Sequence, residues 1–265
     1  MPSSLKNNSF RDPFGKIKIL KRLLITTIGV ITYPGLVIWN RVRINGTEHL
    51  DTLPDQNVLF VSNHQTYFAD VITLLHIMCS KKWKFQNNIR FPLYLLYPKI
   101  NTYFVAADET MKEGLLPRVF NYAGGITVKR TWREAGKDIN RQVDIREFTE
   151  ISKALDDGWV ITFPQGTTTN FAKGRRGVAF ILKKYNPIVI PVVIDGFRDA
   201  FDKKGLRLKK GFTKLSVVFK EPLQYHADMD SDVLLEKVMD AIEQSDRFEG
   251  KESEDSKHPT SQSED

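Results

Sequence analysis

VLFVSNHQTYFADVITLLHIM, residues 58–78, is the stretch whose reading decides the fold. It opens with VLFVSN (58–63), a short apolar run with the length and composition of a buried strand. Residues 70–78 read as a helix. A strand buried on both faces and followed at once by a helix is the repeating unit of an α/β protein. Between the two stands His64, and at the head of the helix stands Asp70. Open α/β sheets carry their sites at the carboxyl ends of strands, which is where His64 falls. Six residues along one continuous helix turn about 600°, so the two side chains would then face different ways. They meet if His64 lies in the turn and Asp70 in the helix after it. An imidazole so placed can take a proton from a hydroxyl while the carboxylate fixes its tautomer. Read alone, the pair is better explained as a helix cap and an ordinary first-turn acid.

Outward from this stretch the alternation continues. VRINGTEHL (42–50) reads as a strand with a turn at Asn45-Gly46, and TYFVAA (102–107) as a strand. Residues 116–123 read as a helix broken by Gly124-Gly125, followed by the strand ITVKR (126–130). Val143, Ile145, Phe148, Ile151, Ala154 and Leu155 mark one face of a helix that Gly158 ends. WVITF (159–163), IVIPVVI (188–194) and LSVVF (215–219) read as strands. Residues 176–185 and 231–244 read as helices, the second capped by Ser231 or Asp230. The pattern predicts an α/β fold with a mostly parallel central sheet flanked by helices. Pro191, inside its strand, is expected at an edge, a strand end or a bulge. Cys79 is the single cysteine, so no intramolecular disulfide can form, and its apolar surroundings make it a core residue. His76, on the same apolar helix, reads as a satisfied core histidine. No cluster has metal-ligand spacing, and neither common phosphate-binding glycine loop is present.

Leu23 to Trp39 is free of charge for 17 residues, short of the roughly 20 that span a bilayer. Pro34 interrupts the run. Lys16, Lys18, Lys21 and Arg22 precede it, and Arg41 and Arg43 follow it, so charge sets no orientation. Two short helices bent at Pro34 and lying in the membrane interface suit this pattern better than a clean span, a core helix or a signal peptide. The net charge is +7, and the last twenty residues carry seven acids against three bases, which leaves +11 on the body. A basic body suits a membrane surface, a phosphorylated substrate or nucleic acid. Nucleic acid is set aside, because no recognised motif is present and the aromatics are not interleaved with the basic runs. The chain divides into a membrane-associating segment (1–41), an α/β domain (42–245) and an acidic tail (246–265). The tail lacks apolar residues beyond its start and is expected to be disordered.

Three more segments change the weight of His64 and Asp70. They are GGITVKR, ending at Arg130; FPQGTTTN, after the strand WVITF; and VIPVVI. With NHQTYFAD, and in this order, they resemble the glycerolipid acyltransferase family that includes 1-acylglycerol-3-phosphate acyltransferases. The family pattern N-H-x-x-x-x-D appears as Asn63, His64 and Asp70, and G-x-x-x-x-x-R as Gly124 and Arg130. F-P-E-G-T-R-S appears in part, as Phe163, Pro164, Gly166 and Thr167, and the apolar strand with its central proline as Ile190-Pro191-Val192. The resemblance covers residues 42–223. Four ordered motifs, each in a strand or at a strand end, make a specific signal where any single one is weak.

The resemblance implies an O-acyltransferase of membrane lipid synthesis at the cytoplasmic face of the inner membrane. It implies His64 as general base on a lysolipid hydroxyl and Asp70 as the residue that orients it. The oxygen attacks the thioester of acyl-CoA or of an acyl carrier protein, with no further cofactor and no metal. Arg130 would bind the acceptor phosphate. Asn63, Gly124, Phe163, Pro164, Gln165, Gly166, Thr167 and Thr168 complete the expected substrate site, with the Gly166 amide near the developing oxyanion. Gln165 stands where the family has Glu, and Thr168 where it has Arg, so two charges are missing from the acceptor site. Lys129, Lys173, Arg175 or Arg176 could supply the cation, which keeps 1-acylglycerol-3-phosphate first. A lyso-ornithine or lyso-glycine lipid, needing no phosphate clamp, is the alternative acceptor. An inactive peripheral lipid-binding protein is the alternative to an enzyme. The basic runs KGRR (173–176) and KKGLRLKKGFTK (203–214) read as anion or lipid contacts, or as solvated surface.

Overall fold

The structure is a computed structural model and describes residues 10–111, 114–128, 133–134, 137–138 and 145–249. Helix α1 (Lys18–Tyr33) leads into β1 (Arg43–Asn45), β2 (Val58–Ser62), α2 (Ala69–Lys82), β3 (Thr102–Ala107), α3 (Asp108–Met111), α4 (Leu115–Gly124) and β4 (Gly125–Val128). The short antiparallel pair β5 (Arg133–Glu134) and β6 (Lys137–Asp138) follows. Then come α5 (Ile145–Asp157), β7 (Trp159–Thr162), α6 (Arg176–Tyr185), β8 (Ile188–Asp195), α7 (Phe197–Ala200), β9 (Ser216–Phe219) and α8 (Ser231–Ala241).

Strands other than β5 and β6 form one sheet in the order β1-β9-β8-β2-β7-β3-β4. The apolar run that opened the analysis is its centre: β2 is buried at all five residues and pairs in parallel with both β7 and β8. Within the sheet, β8 and β9 pair antiparallel and the other neighbours pair in parallel. The mostly parallel α/β sheet read from the sequence is therefore the observed one. Alternate residues of β2 point to opposite faces. Val58 and Phe60 join a core cluster with residues of α1, α2 and α4. Leu59 and Val61 join a second one with residues of α5, α6 and α8. Each such buried side chain contributes about 1.5–3 kcal/mol.

Pro191 lies inside β8, an interior strand, and not at an edge. Strand groups point alternately to the two neighbours. The Ile194 amide faces the β2 side, where it meets Asn63, while the Pro191 carbonyl accepts from the Lys220 amide on the β9 side. The donor that proline lacks therefore falls just past Phe219, where β9 has ended. The segment after Asn45 is also not strand. Gly46 takes φ +80°, with the Phe219 carbonyl where a Cβ would stand, and Thr47–Leu50 forms a 3-10 turn.

At the N-terminus Pro34 does not divide two helices. α1 continues through it as a π-helical stretch, Pro34–Trp39, whose widened turn accommodates the ring. The whole run Lys18–Trp39 is 22 residues long and apolar enough to cross a membrane by length and composition. It is, however, fastened to the domain at intervals. Lys21 is fully buried, Thr26 Oγ1 donates to the Leu95 carbonyl (2.7 Å), and Thr32 Oγ1 lies 3.0 Å from His76 Nε2. Ile19, Leu23, Val30, Ile31 and Ile38 remain exposed on its outer side. His76 is a core histidine as expected. Its Nδ1 lies 2.8 Å from the Tyr94 hydroxyl, and burial lowers its pKa to about 4. Cys79 is buried too, and desolvation raises its thiol to about 12. Asp230 is the cap of α8, its carboxylate accepting from the Asp232 and Val233 amides. Of the expected tail, 246–249 form a helical turn in which Arg247 reaches Asp240, and 250–265 lie outside the described residues.

Candidate active site

β2 ends at Ser62, and Asn63 extends its pairing with a side chain. Asn63 Nδ2 donates to the Ile194 carbonyl and the Ile194 amide donates to Asn63 Oδ1, both at 2.8 Å. The carboxamide thus stands in for a peptide group and fixes the exit from the strand. It positions the turn, and both its ends are used in doing so. His64 follows, with Nδ1 2.8 Å from Asp70 Oδ2. Asp70 is fully buried in the first turn of α2. Its oxygens also accept from the amides of Gln65 (2.6 Å) and Thr66 (3.0 Å) and from Thr66 Oγ1 (2.7 Å). Four donors around one carboxylate leave it a single orientation. The Phe163 ring stacks on the imidazole, with centroids 3.9 Å apart and planes inclined by 21°. With Nδ1 engaged, Nε2 is the nitrogen left for chemistry.

His64 opens on a cleft of about 320 Å³ that Phe163, Pro164, Gly166 and Thr167 also line. Its other walls include Phe104, Met111, Phe148, Ile151, Val178 and Ile181, so most of it is apolar. Pro164 and Gln165 form the centre of a turn closed by the Gly166 amide, which donates to the Phe163 carbonyl at 3.0 Å. Gly166 takes φ +63°, which glycine adopts without strain. Its amide is committed to the turn, so the expected use of that amide at an oxyanion is not what this conformation offers. Gln165 is buried and faces inward. Its Nε2 donates to the Ala172 carbonyl (3.1 Å) and to Gln244 Oε1 (3.0 Å). It braces the loop from behind, because a buried amide must satisfy its donors.

Two further arginines lie at or near the cleft, Arg175 in its lining and Arg198 against the loop after Thr167. Gln65 Oε1 accepts from the amides of Phe197 (2.8 Å) and Arg198 (3.3 Å), which ties α7 to the turn after β2. Arg198 Nη2 then donates to the Thr168 carbonyl (2.5 Å) and to Asn170 Oδ1 (2.8 Å). A guanidinium therefore lies on the loop where the family arginine is replaced by Thr168. Arg175 also lines the cleft, and its amide donates to the Pro164 carbonyl at 2.9 Å. Arg176 lines it as well, in a bidentate pair with Asp232. The basic loop 203–214 is pinned here too, since the amides of Tyr67 and Phe68 donate to the carbonyls of Lys203 and Lys204. Arg175 was within reach of the sequence, in the cluster KGRR. Nothing local pointed to Arg198.

Gly124 is not part of this assembly. It precedes β4 at the amino end of the sheet, with φ +138°, and an added Cβ would stand 2.5 Å from the Thr102 carbonyl. It is needed for close packing on β3. Arg130 lies outside the described residues.

A family model described as Acyltransferase matches residues 41–195, more than half of the chain. The chain belongs to the acyltransferase family and is an enzyme of that class. Among solved structures, the 1-acyl-sn-glycerophosphate (LPA) acyltransferase PlsC from Thermotoga maritima has a similar fold. The likeness has a TM-score of 0.51 at 20% identity and covers 90% of this chain and 81% of that one. No curated protein sequence matches significantly.

Proposed function

We propose that this acyltransferase moves a fatty acyl group from acyl-CoA or an acyl carrier protein to the free hydroxyl of a lysolipid, with 1-acylglycerol-3-phosphate as the acceptor. The observation that carries the reading is the His64–Asp70 pair opening on an apolar cleft. His64 Nε2 takes the proton of the acceptor hydroxyl as its oxygen attacks the thioester carbonyl. Asp70 fixes the tautomer and supports the imidazolium. The tetrahedral intermediate collapses by breaking the carbon–sulfur bond, and the imidazolium returns its proton to the departing thiolate. No acyl-enzyme forms, since the acceptor is itself the nucleophile. The apolar walls suit an acyl chain. Arg175 in the cleft lining and Arg198 against the adjoining loop support a phosphate-bearing acceptor, together with Arg130, which the family pattern assigns to that phosphate. The exposed apolar side of α1 supports work at a membrane, with α1 lying in the interface at its cytoplasmic face.

The test is a purified-enzyme assay that crosses both donors with lysophosphatidic acid and lyso-aminolipid acceptors. We expect turnover with lysophosphatidic acid and a loss of about a thousandfold or more in His64→Ala with the fold intact. Full activity in that variant would remove the mechanism. Turnover with lyso-aminolipids alone would replace the acceptor.

A further inference from the structure

A second cleft, larger than the one at His64, lies elsewhere among the described residues. It measures about 1030 Å³ and runs beside β1, the edge strand at the far side of the sheet from β4. Arg41, Arg43, Arg90 and Lys214 line it, and none of its lining residues is acidic. All four cations are exposed. None of them makes a side-chain ion pair among the described residues. Four like charges around one concavity repel one another, and nothing in the acyl-transfer chemistry uses them. A concavity lined by one sign of charge concentrates a positive potential that attracts an anion.

The surroundings say which anion. The cleft begins where the apolar run of α1 ends. Trp39 lines it, and the Phe212 amide donates to the Trp39 carbonyl at 2.7 Å. Phe212, also in the lining, is 86% exposed. On the other side Arg90 leads into the turn Pro92–Leu96, which packs along α1 through Leu95 and leaves Leu96 71% exposed. The cations therefore sit at the end of an exposed apolar strip, between the aromatic pair Trp39 and Phe212 and the apolar turn at Leu96. That is the arrangement of side chains at the level of lipid head groups, with aromatic rings in the interface and basic groups facing phosphates.

We propose that this cleft docks the protein on a leaflet containing anionic phospholipids, receiving their phosphate head groups between Arg41, Arg43, Arg90 and Lys214. Phe212, Trp39 and the turn at Leu96 enter the apolar layer beside α1. The site is separate from the acyl-transfer cleft, with which it shares no lining residue. It rests on the reading that α1 lies in a membrane, and it adds the lipid class and the residues that select it.

The test is flotation of the purified full chain with phosphatidylcholine vesicles, with and without phosphatidylglycerol. Each basic group near a charged bilayer strengthens partitioning by about fivefold, the equivalent of about 1 kcal/mol. Wild type binds both vesicles, the anionic ones more tightly. The combined variant Arg41→Gln, Arg43→Gln, Arg90→Gln and Lys214→Gln keeps its binding to neutral vesicles, which also reports that it is folded. Its preference for anionic vesicles falls by about tenfold or more. A charge-matched variant on the opposite face of the sheet (Lys153, Lys183, Lys184 and Lys237 to Gln) keeps the preference. An undiminished preference in the first variant, or an equal loss in the second, overturns the proposal. Wild-type protein that binds both vesicles equally overturns it while leaving membrane association standing. Protein that binds neither removes the membrane reading itself.

Discussion

The carboxyl and amino ends of the sheet each bury a carboxylate against a basic side chain, with opposite results. At the carboxyl end, Asp70 meets His64 at 2.8 Å and has every other direction filled by amides and a hydroxyl. At the amino end, Asp12 lies 3.7 Å from Lys21, too far for a hydrogen bond, and both side chains are buried. Asp12 Oδ2 and Lys21 Nζ have no hydrogen-bond partner among the described residues. Lys21 rests on the Tyr103 ring at 4.0 Å and close to where Gly124 omits a side chain. The first pair is saturated and opens on a cleft, so the imidazole can change protonation while its partner stays put. The second is sealed and ties the loop before α1 to the helix, while Lys21 on the Tyr103 ring holds α1 to the domain. A buried ion pair is by itself no mark of a site; its hydrogen bonds and its access are.

The largest expected effect comes from breaking the first pair. Asp70→Asn turns an NH2 group toward donors that wanted an acceptor. Activity should fall by about a thousandfold or more, with a loss of stability of about 1–3 kcal/mol from unmet donors. Steady-state kinetics and a melting curve check the two separately. Unchanged kcat would mean that His64 is not oriented by this carboxylate. Breaking the second pair should do the reverse. Asp12→Ala leaves a buried ammonium with no counter-charge, at a cost of about 3–5 kcal/mol, while kcat per folded molecule stays at the wild-type value. A large drop in kcat at a temperature where the variant is folded would erase the contrast between the two ends.

A smaller effect separates the two roles offered for Gly124. As a packing residue at the amino end, Gly124→Ala should lower stability by about 2 kcal/mol, from its φ and its contact with the Thr102 carbonyl. KM for the acceptor should not move. A raised KM with an unchanged melting temperature would return Gly124 to the substrate site.

What the sequence revealed and what it hid divide along the same line. His64, Asp70 and the amides that hold them lie within seven consecutive residues, so a local pattern contained the whole assembly. The central strand was legible because all five residues of β2 are buried, and the period of its helices because each covers one face of the sheet. Arg198 was not legible, because it is brought to Thr168 by Gln65, whose contact with Phe197 spans 132 positions. Gln165 looked like a lost charge at the acceptor site because its partner, Gln244, lies 79 residues on. Pro191 looked like an edge residue because only the end of β9, unseen in the sequence, spares it a missing bond. Local chemistry can be read from spacing, whereas long-range contacts that assign a side chain to substrate or to scaffold cannot.

The test most specific to the amino end is the pH dependence of stability in Lys21→Met. Asp12 Oδ1 keeps the amides of Phe14 and Lys16, while Oδ2 is left buried without its counter-charge. Removing one member of a buried pair leaves the other charge uncompensated, so the variant should lose about 3–5 kcal/mol at pH 7, as Asp12→Ala does. A second difference appears with alkali. Burial lowers the Lys21 pKa to about 8 from the ordinary 10.5. Below about pH 8 folded and unfolded chains both hold that proton. Between about 8 and 10.5 the folded protein has released it and the unfolded chain has not, so the unfolded state binds more protons and stability rises with pH. The rise amounts to about 3 kcal/mol for this one group. Lys99, held near 8 by its own burial over Trp159, contributes a second rise of the same sign. Urea unfolding from pH 7 to 10.5 should therefore show Lys21→Met losing about half of the alkaline gain attributable to these two lysines. A wild-type curve that falls over that window, or a Lys21→Met curve that rises as steeply as wild type, would mean that Lys21 stays charged in place. The amino end would then be held by a true ion pair.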